Sequence, residues 1–372
     1  IPYTASGFKA IGTLFSSLFG VDYHVAMIVG AIVIVGYTVM GGFMAVSTTD
    51  LIQSIVMTIS LIVIVFYGIH MAGGWDEVVS NATSLAGYLS MNHIHDRATG
   101  TAAPYSLLTI VSTLAWGLGY FGMPHILLRF MAIEDEKKLK LSRRVATIWV
   151  VISLFVAVFI GVIGYTMSKV GALEMLTGSN SETIIVKISA LLSQHGVIFA
   201  LLAGVILAGI LASTMSTSDS QLLAASSAVS SDILGAFRKD SSNKNGSMAA
   251  ARITLLVISV VAAFIARNPD SSVFAIVSFA WAGFGAAFGP VVLFSLFWKR
   301  TNKWGALAGM VCGGSMVFIW KYLIRPLGGI WNIYELLPAF LIACAAIVIV
   351  SLLTPKPSKE IEEEFDRVAQ MK

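Results

Sequence analysis

Long apolar runs, each roughly 20 residues and separated by short polar connections, repeat along the whole chain, the pattern of helices that cross a bilayer. They fall at about 1–19, 25–46, 50–73, 106–131, 145–168, 197–218, 250–266, 272–298, 304–323 and 334–353. None alternates apolar and polar positions with a period of two, so the runs predict helices rather than barrel strands. A helix also pairs its own backbone groups, as lipid requires. The expected fold class is therefore all-α, a polytopic membrane protein of about ten transmembrane helices. One transmembrane domain is expected over 1–354. The charged remainder, 355–372, reads as a cytoplasmic tail, either a solvated helix or a disordered end. The segment SETIIVKISALLSQHG at 181–196 predicts a short amphipathic external helix.

Composition sharpens this picture. Hydrophobic residues make up 57% of the chain and charged residues 12%, with a mean hydropathy of +0.84, whereas soluble domains carry about 25% charged residues. The formal net charge of +4 is no nucleic-acid footprint, because the basic residues sit in short connections. Lys137, Lys138, Lys140, Arg143 and Arg144 occupy 134–144, Arg238, Lys239, Lys244 and Arg252 lie near 238–252, and Lys299, Arg300 and Lys303 fill the turn at 299–303. By contrast 74–105 has only Arg97, and 171–196 only Lys187. With basic loops on the cytoplasmic side, one alternating path satisfies every connection and leaves the C-terminus inside. The 74–105 connection, with His93 and His95, is then external. A histidine pair there could bind metal, but exposed loop histidines ordinarily do not. Cys312 and Cys344 lie inside apolar runs and suggest neither a disulfide framework nor a metal site. The chain opens at Ile1 inside an apolar run, which predicts sequence upstream.

Three stretches carry candidate chemistry. LASTMSTSDSQ at 211–221 runs straight out of an apolar span. Ser213, Ser216, Thr217 and Ser220 share one helical face, and hydroxyls in hydrocarbon are tolerated where they face protein or a wet cavity. With Asp219 beside them they offer the oxygens a hard monovalent cation needs. The alternative is that small hydroxyls let two helices pack closely and bond back to the preceding turn. In LAWGLGYFGMPHILLRF at 114–130, Gly117, Gly119, Gly122 and Pro124 predict an interrupted helix. Such breaks offer backbone groups and half-helix dipoles to a ligand, and Trp116 and Tyr120 would flank the break as apolar walls. An interfacial aromatic belt is the competing reading. SFAWAGFGAAFGPVV at 278–292, with Trp281, Gly285, Gly289 and Pro290, reads as a kinked helix and candidate gate, or as tight packing. Asp50 either caps the helix after it or joins an ion path with 213–220.

These motifs carry a resemblance. YTASG, GGFMAVSTTD, WGLGYFGMPHILLRFMA, MSTSDSQLL and FAWAGFGAAFGPVVLFS closely resemble the sodium:solute symporter family, its bacterial proline carriers in particular, along essentially the whole chain. The resemblance implies a five-plus-five inverted-repeat core with extra C-terminal helices in the bacterial inner (plasma) membrane. It implies sodium as coupling ion and L-proline as partner, with symport into the cell by alternating access. Sodium ligands fall on Ser213, Ser216 and Thr217, where Ser213 replaces a usual alanine that offers only its carbonyl. Substrate-facing positions fall on Trp116, Tyr120, Pro124 and Tyr3, with Trp281 on the candidate gate. Asp50, Asp219 and Ser220 are a possible second ion site. The family's first two core helices are missing from this chain, so residues 1–372 alone are expected to insert in a membrane without transporting.

Other functions fit less well. Another cargo on the same fold, such as a monocarboxylate, pantothenate or a sugar, is the alternative, as is a non-transporting fragment or sensor. No HExxH, GxSxG or intramembrane carboxylate pair supports an enzyme, and no filter sequence supports a channel.

Overall fold

The computed structural model describes residues 1–233 and 244–370. Arg238 and Lys239 of the expected basic loop, and the last two residues of the tail, lie outside the described residues. In chain order the helices are α1 (Pro2–Phe19), α2 (Tyr23–Met71), α3 (Trp75–Ser84), α4 (Leu107–Leu114), α5 (Pro124–Met131), α6 (Leu139–Lys169), α7 (Ile184–Ser193), α8 (Val197–Ser227), α9 (Lys244–Ile265), α10 (Val273–Phe297), α11 (Lys303–Ile319), α12 (Leu336–Leu353) and α13 (Lys359–Gln370). A short hairpin, β1 (His93–His95) with β2 (Ala102–Pro104), lies in the 74–105 connection. Among the described residues, eight apolar helical stretches are long enough to cross a membrane, two of them (Tyr23–Met40 and Val46–Met71) within α2, or nine if one bent pair counts as a span. The expected amphipathic segment at 181–196 is α7, preceded by a 3₁₀ turn over Gly178–Thr183.

The chain divides into two compact units, residues 1–103 with 134–277, and residues 104–133 with 278–372. In the first, Phe8, Ile11, Met27, Ile34, Leu222, Leu255 and Ile258 form one core among α1, α2, α8 and α9. Ile64, Ile160, Ile163, Met167, Ile188 and Ile206 form a second among α2, α6, α7 and α8. Thus α2 and α8 are shared by both. The outer face of α6, including Ile148, Val151, Phe155 and Val158, is exposed, as a lipid-facing surface requires. In the second unit α11 packs through a ladder of small residues: a Cβ added at Gly305, Gly309 or Gly313 would strike Ser351, Ile347 or the Ala286 carbonyl within 2.4 Å. Small residues at every fourth position are how helices approach closely in lipid.

The expected spans at 25–46 and 50–73 are both present, as membrane-length apolar stretches over Tyr23–Met40 and Val46–Met71, but they are joined in one helix, α2, continuous from Tyr23 to Met71. The polar stretch between the two apolar windows bonds within the helix, Thr48 Oγ1 to the Met44 carbonyl at 3.0 Å and Thr49 Oγ1 to the Val46 carbonyl at 2.9 Å. No proline breaks it. At about 1.5 Å per residue its 49 residues would extend far beyond the hydrocarbon core of about 30 Å. Asp50 therefore lies within α2 rather than at the start of a following helix. The α1 run also differs: it is an 18-residue helix but does not count among the membrane-length apolar ones, because its buried face includes Thr4, Ser6 and Lys9.

Candidate functional site

The 211–221 stretch is helical throughout, in the second half of α8. Its hydroxyls bond back to the preceding turn: Ser213 Oγ to the Ile210 carbonyl at 2.8 Å, Ser216 Oγ to the Ser213 carbonyl at 3.1 Å, and Thr217 Oγ1 to the same carbonyl at 3.2 Å. Back-bonding spends each hydroxyl's proton and leaves its lone pairs directed outward, so it is compatible with holding a cation. The Ser213 carbonyl already takes two hydroxyl protons, which makes hydroxyl oxygens the more available ligands. All three side chains are half-buried.

Asp219 is fully buried. Its Oδ2 accepts the Tyr37 hydroxyl of α2 at 2.8 Å, and its Oδ1 accepts the Ser220 N–H at 2.6 Å. Through the hydroxyl bond α2 and α8 bring Tyr37 and Asp219 together. Ser218, also fully buried, faces α1, where a Cβ on Gly7 would lie 1.9 Å from Ser218 Oγ. That glycine is what lets α1 reach α8. Tyr3 is half-buried at the start of α1 and its carbonyl accepts Ser6 Oγ at 2.6 Å.

In the second unit the predicted interruption is present. After α4 the chain runs as a 3₁₀ helix over Ala115–Gly122, then bends by 45° into α5. Pro124 opens α5, where its missing N–H costs no helical bond. Trp116 stacks on Trp281 of α10 with centroids 5.5 Å apart and planes 16° apart, and Trp281 Nε1 donates to the Trp116 carbonyl at 2.9 Å. Tyr120 meets the same indole edge-on at 4.8 Å. Trp281 is buried while Tyr120 is 43% exposed, so the cluster presents the Tyr120 ring. The helix α10 is continuous with Pro290 inside it, and its glycines make close contacts. A Cβ on Gly285 would lie 2.7 Å from Gly119 Cα, and one on Gly289 would lie 2.8 Å from the Phe340 ring. Tight packing accounts for the glycines there.

Three residues of these sites were not singled out from the sequence. Tyr37, and Tyr334, whose ring stacks on Trp116 with centroids 5.9 Å apart, meet their partners through tertiary contacts and have no local signature. Lys9 did have one, a lone cation in an apolar run. It is 2% exposed, bonded to the Pro269 carbonyl and 5.0 Å from the centre of the Tyr23 ring. The histidines of the 74–105 connection bond locally, His93 Nδ1 with Asn92 Oδ1 and His95 Nδ1 with the Ala86 carbonyl.

Residues 1–313 match the sodium:solute symporter family. The chain belongs to that family. A sodium:solute symporter is a transporter and not an enzyme, with sodium as its coupling ion. The chain is 37% identical to the osmoregulated proline transporter OpuE of Bacillus subtilis, over 96% of this chain and 69% of that protein. It is 38% identical to the sodium/proline symporter of Salmonella typhimurium, over 98% of this chain and 69% of that protein. Its fold resembles that of a Na⁺-coupled sialic acid symporter in a substrate-bound outward-open state, with a TM-score of 0.73 over 96% of this chain and 74% of that one. At 18% identity this second likeness concerns the all-α fold alone.

Proposed function

We propose that this sodium:solute symporter carries L-proline into the bacterial cell with sodium, by alternating access. What carries the reading is that relatives 35–38% identical across nearly the whole chain are named proline transporters and sodium/proline symporters. In this reading the Ser216 and Thr217 hydroxyls, with Ser213, hold the sodium ion. Asp219, Ser220 and Asp50 are the candidate second ion position, with the Tyr37–Asp219 bond setting how the carboxylate is presented. Trp116, Tyr120 and Trp281 at the interrupted span form the apolar wall against which a pyrrolidine ring packs, with Pro124 fixing the bend. Few polar groups and flat apolar walls suit a small ligand site. The basic loops and the C-terminal tail face the cytoplasm. Coupling requires that sodium favour the substrate-ready conformation, which a ligand does only through differential affinity for two states.

The test is uptake of labelled proline into liposomes holding the protein as the cell makes it. An inward sodium gradient should drive accumulation, and collapsing the gradient should abolish it. Gradient-driven uptake of a sugar or monocarboxylate in preference to proline would overturn the cargo.

A further inference from the structure

We propose that Tyr334 is a positioning residue of the aromatic site, fixing the plane of Trp116 and with it the ring size of the solute accepted. This rests on the reading that the Trp116–Tyr120–Trp281 cluster lines the proline site. Tyr334 lies just before α12 and is 9% exposed. Its ring stacks on Trp116, with centroids 5.9 Å apart and planes 14° apart. Its hydroxyl donates to the Ser278 carbonyl of α10 at 2.6 Å, one turn before Trp281, and its N–H donates to Ser112 Oγ of α4 at 3.1 Å. One residue thus touches the interrupted span, the helix that carries Trp281 and the mouth of α12.

The segment is pinned on both sides of Tyr334, by the buried carboxylate of Glu335 and by Asn332, both held by Arg325. Glu335 is 1% exposed. Its Oε2 accepts Arg325 Nη1 at 2.8 Å, while Lys321 Nζ stands 3.8 Å from Oε1. Arg325 Nε also donates to Asn332 Oδ1 at 3.0 Å, and the Lys321 ammonium sits 4.0 Å from the centre of the Phe279 ring. Burying the Glu335 carboxylate against two partly exposed cations is a poor way to gain stability, since apolar residues of similar shape serve as well or better. What such a cluster supplies is a defined position, and here the position defined is that of Tyr334. Trp116 therefore takes its plane from two distant rings, Trp281 and Tyr334. Loosening Tyr334 lets the indole tilt, and the wall beside Tyr120 loses its shape.

The experiment compares uptake of proline with its four- and six-membered-ring analogues, azetidine-2-carboxylate and pipecolate, in liposomes with a sodium gradient. Tyr334→Leu should raise the half-saturating proline concentration by about two- to tenfold, the contribution of an aromatic pair. It should change the preference for proline over pipecolate by a similar factor and leave the half-saturating sodium concentration as it was. Tyr334→Phe keeps the ring and should restore the preference. Glu335→Gln should shift the preference in the same direction by less, and decides the matter if Tyr334→Leu does not insert. A preference among the three solutes that is unchanged in Tyr334→Leu, or in Glu335→Gln where that variant decides, overturns the inference and leaves Tyr334 a packing residue. Absence of sodium-driven proline uptake in the unmodified protein would overturn the transport reading and this inference together.

Discussion

Gly119→Ala should disable the aromatic site, while Gly117→Ala, two residues earlier on the same 3₁₀ turn, should not. A Cβ at Gly119 would lie 1.9 Å from Trp281 Nε1, 2.3 Å from Cδ1 and 2.6 Å from Cε2, whereas one at Gly117 meets nothing within 4 Å. Neither glycine has positive φ, so backbone strain does not separate them, and both substitutions change local propensity in the same way. The indole cannot yield by a small rotation, because it is buried, stacked on Trp116 and bonded to the Trp116 carbonyl. Forcing a methyl into a packed site costs about 1–3 kcal/mol. If that cost falls on the bound state, proline affinity drops by about fivefold to about a hundredfold. The assay is an equilibrium proline-binding isotherm on purified protein, with membrane insertion and melting temperature checked for each variant. Equal proline affinity in the Gly119 and Gly117 variants, both inserted, would show that the Trp281 indole has no part in the site.

On the sodium side, Thr217→Ala and Ser216→Ala should each raise the half-saturating sodium concentration, by roughly the tenfold that one charge-directed contact of about 1.5 kcal/mol supplies. Ser230→Ala, beyond the end of α8, should leave it near its starting value; if all three variants keep the sodium dependence of the unmodified protein, these hydroxyls do not hold the ion. Tyr37→Phe strips the buried Asp219 carboxylate of a hydroxyl donor and should lower stability by about 1.5–3 kcal/mol. Thermal unfolding in detergent reads this, and an unchanged melting temperature refutes it.

What could be read from the sequence follows the range of the forces involved. The break at 115–124 was legible because its causes are local: glycines and a proline act on their own φ and ψ and on the bond four residues back. The apolar windows were legible for the same reason. The continuity of α2 was less legible, since it depends on the Thr48 and Thr49 hydroxyls closing on carbonyls of the same helix. Of the two readings of Asp50, the helix start is the one this continuity removes. Tyr334 was invisible because its meaning depends on Trp116, Ser112 and Ser278, all far away in the chain. Tyr37 was invisible for the same reason, its partner Asp219 lying 182 positions on. Buried charge was the remaining signal, and Lys9 and Glu335 show that a lone ionisable residue in or beside an apolar run is worth following.

The two readings of the α8 hydroxyls, close packing and cation coordination, need not compete, because they fall on different faces of one helix. At about 100° per residue, Ser218 points roughly 150° away from the face shared by Ser213, Ser216 and Thr217. It is Ser218 that is fully buried, with the glycine of α1 pressed against it. Asp219 points in a third direction, roughly 110° from that face, and there it meets Tyr37. The packing contact and the buried carboxylate thus fix the rotation of α8 from two sides. The remaining face is left half-buried, with hydroxyls that donate inward and present oxygen outward. A helix held in this way presents its oxygens at fixed spacing without the ion having to gather them, and that preorganisation lowers the cost of stripping water from sodium. It follows that Gly7→Ala, which touches no proposed ligand, should weaken sodium affinity by turning α8, whereas a change on the exposed outer face of α6 should leave it alone.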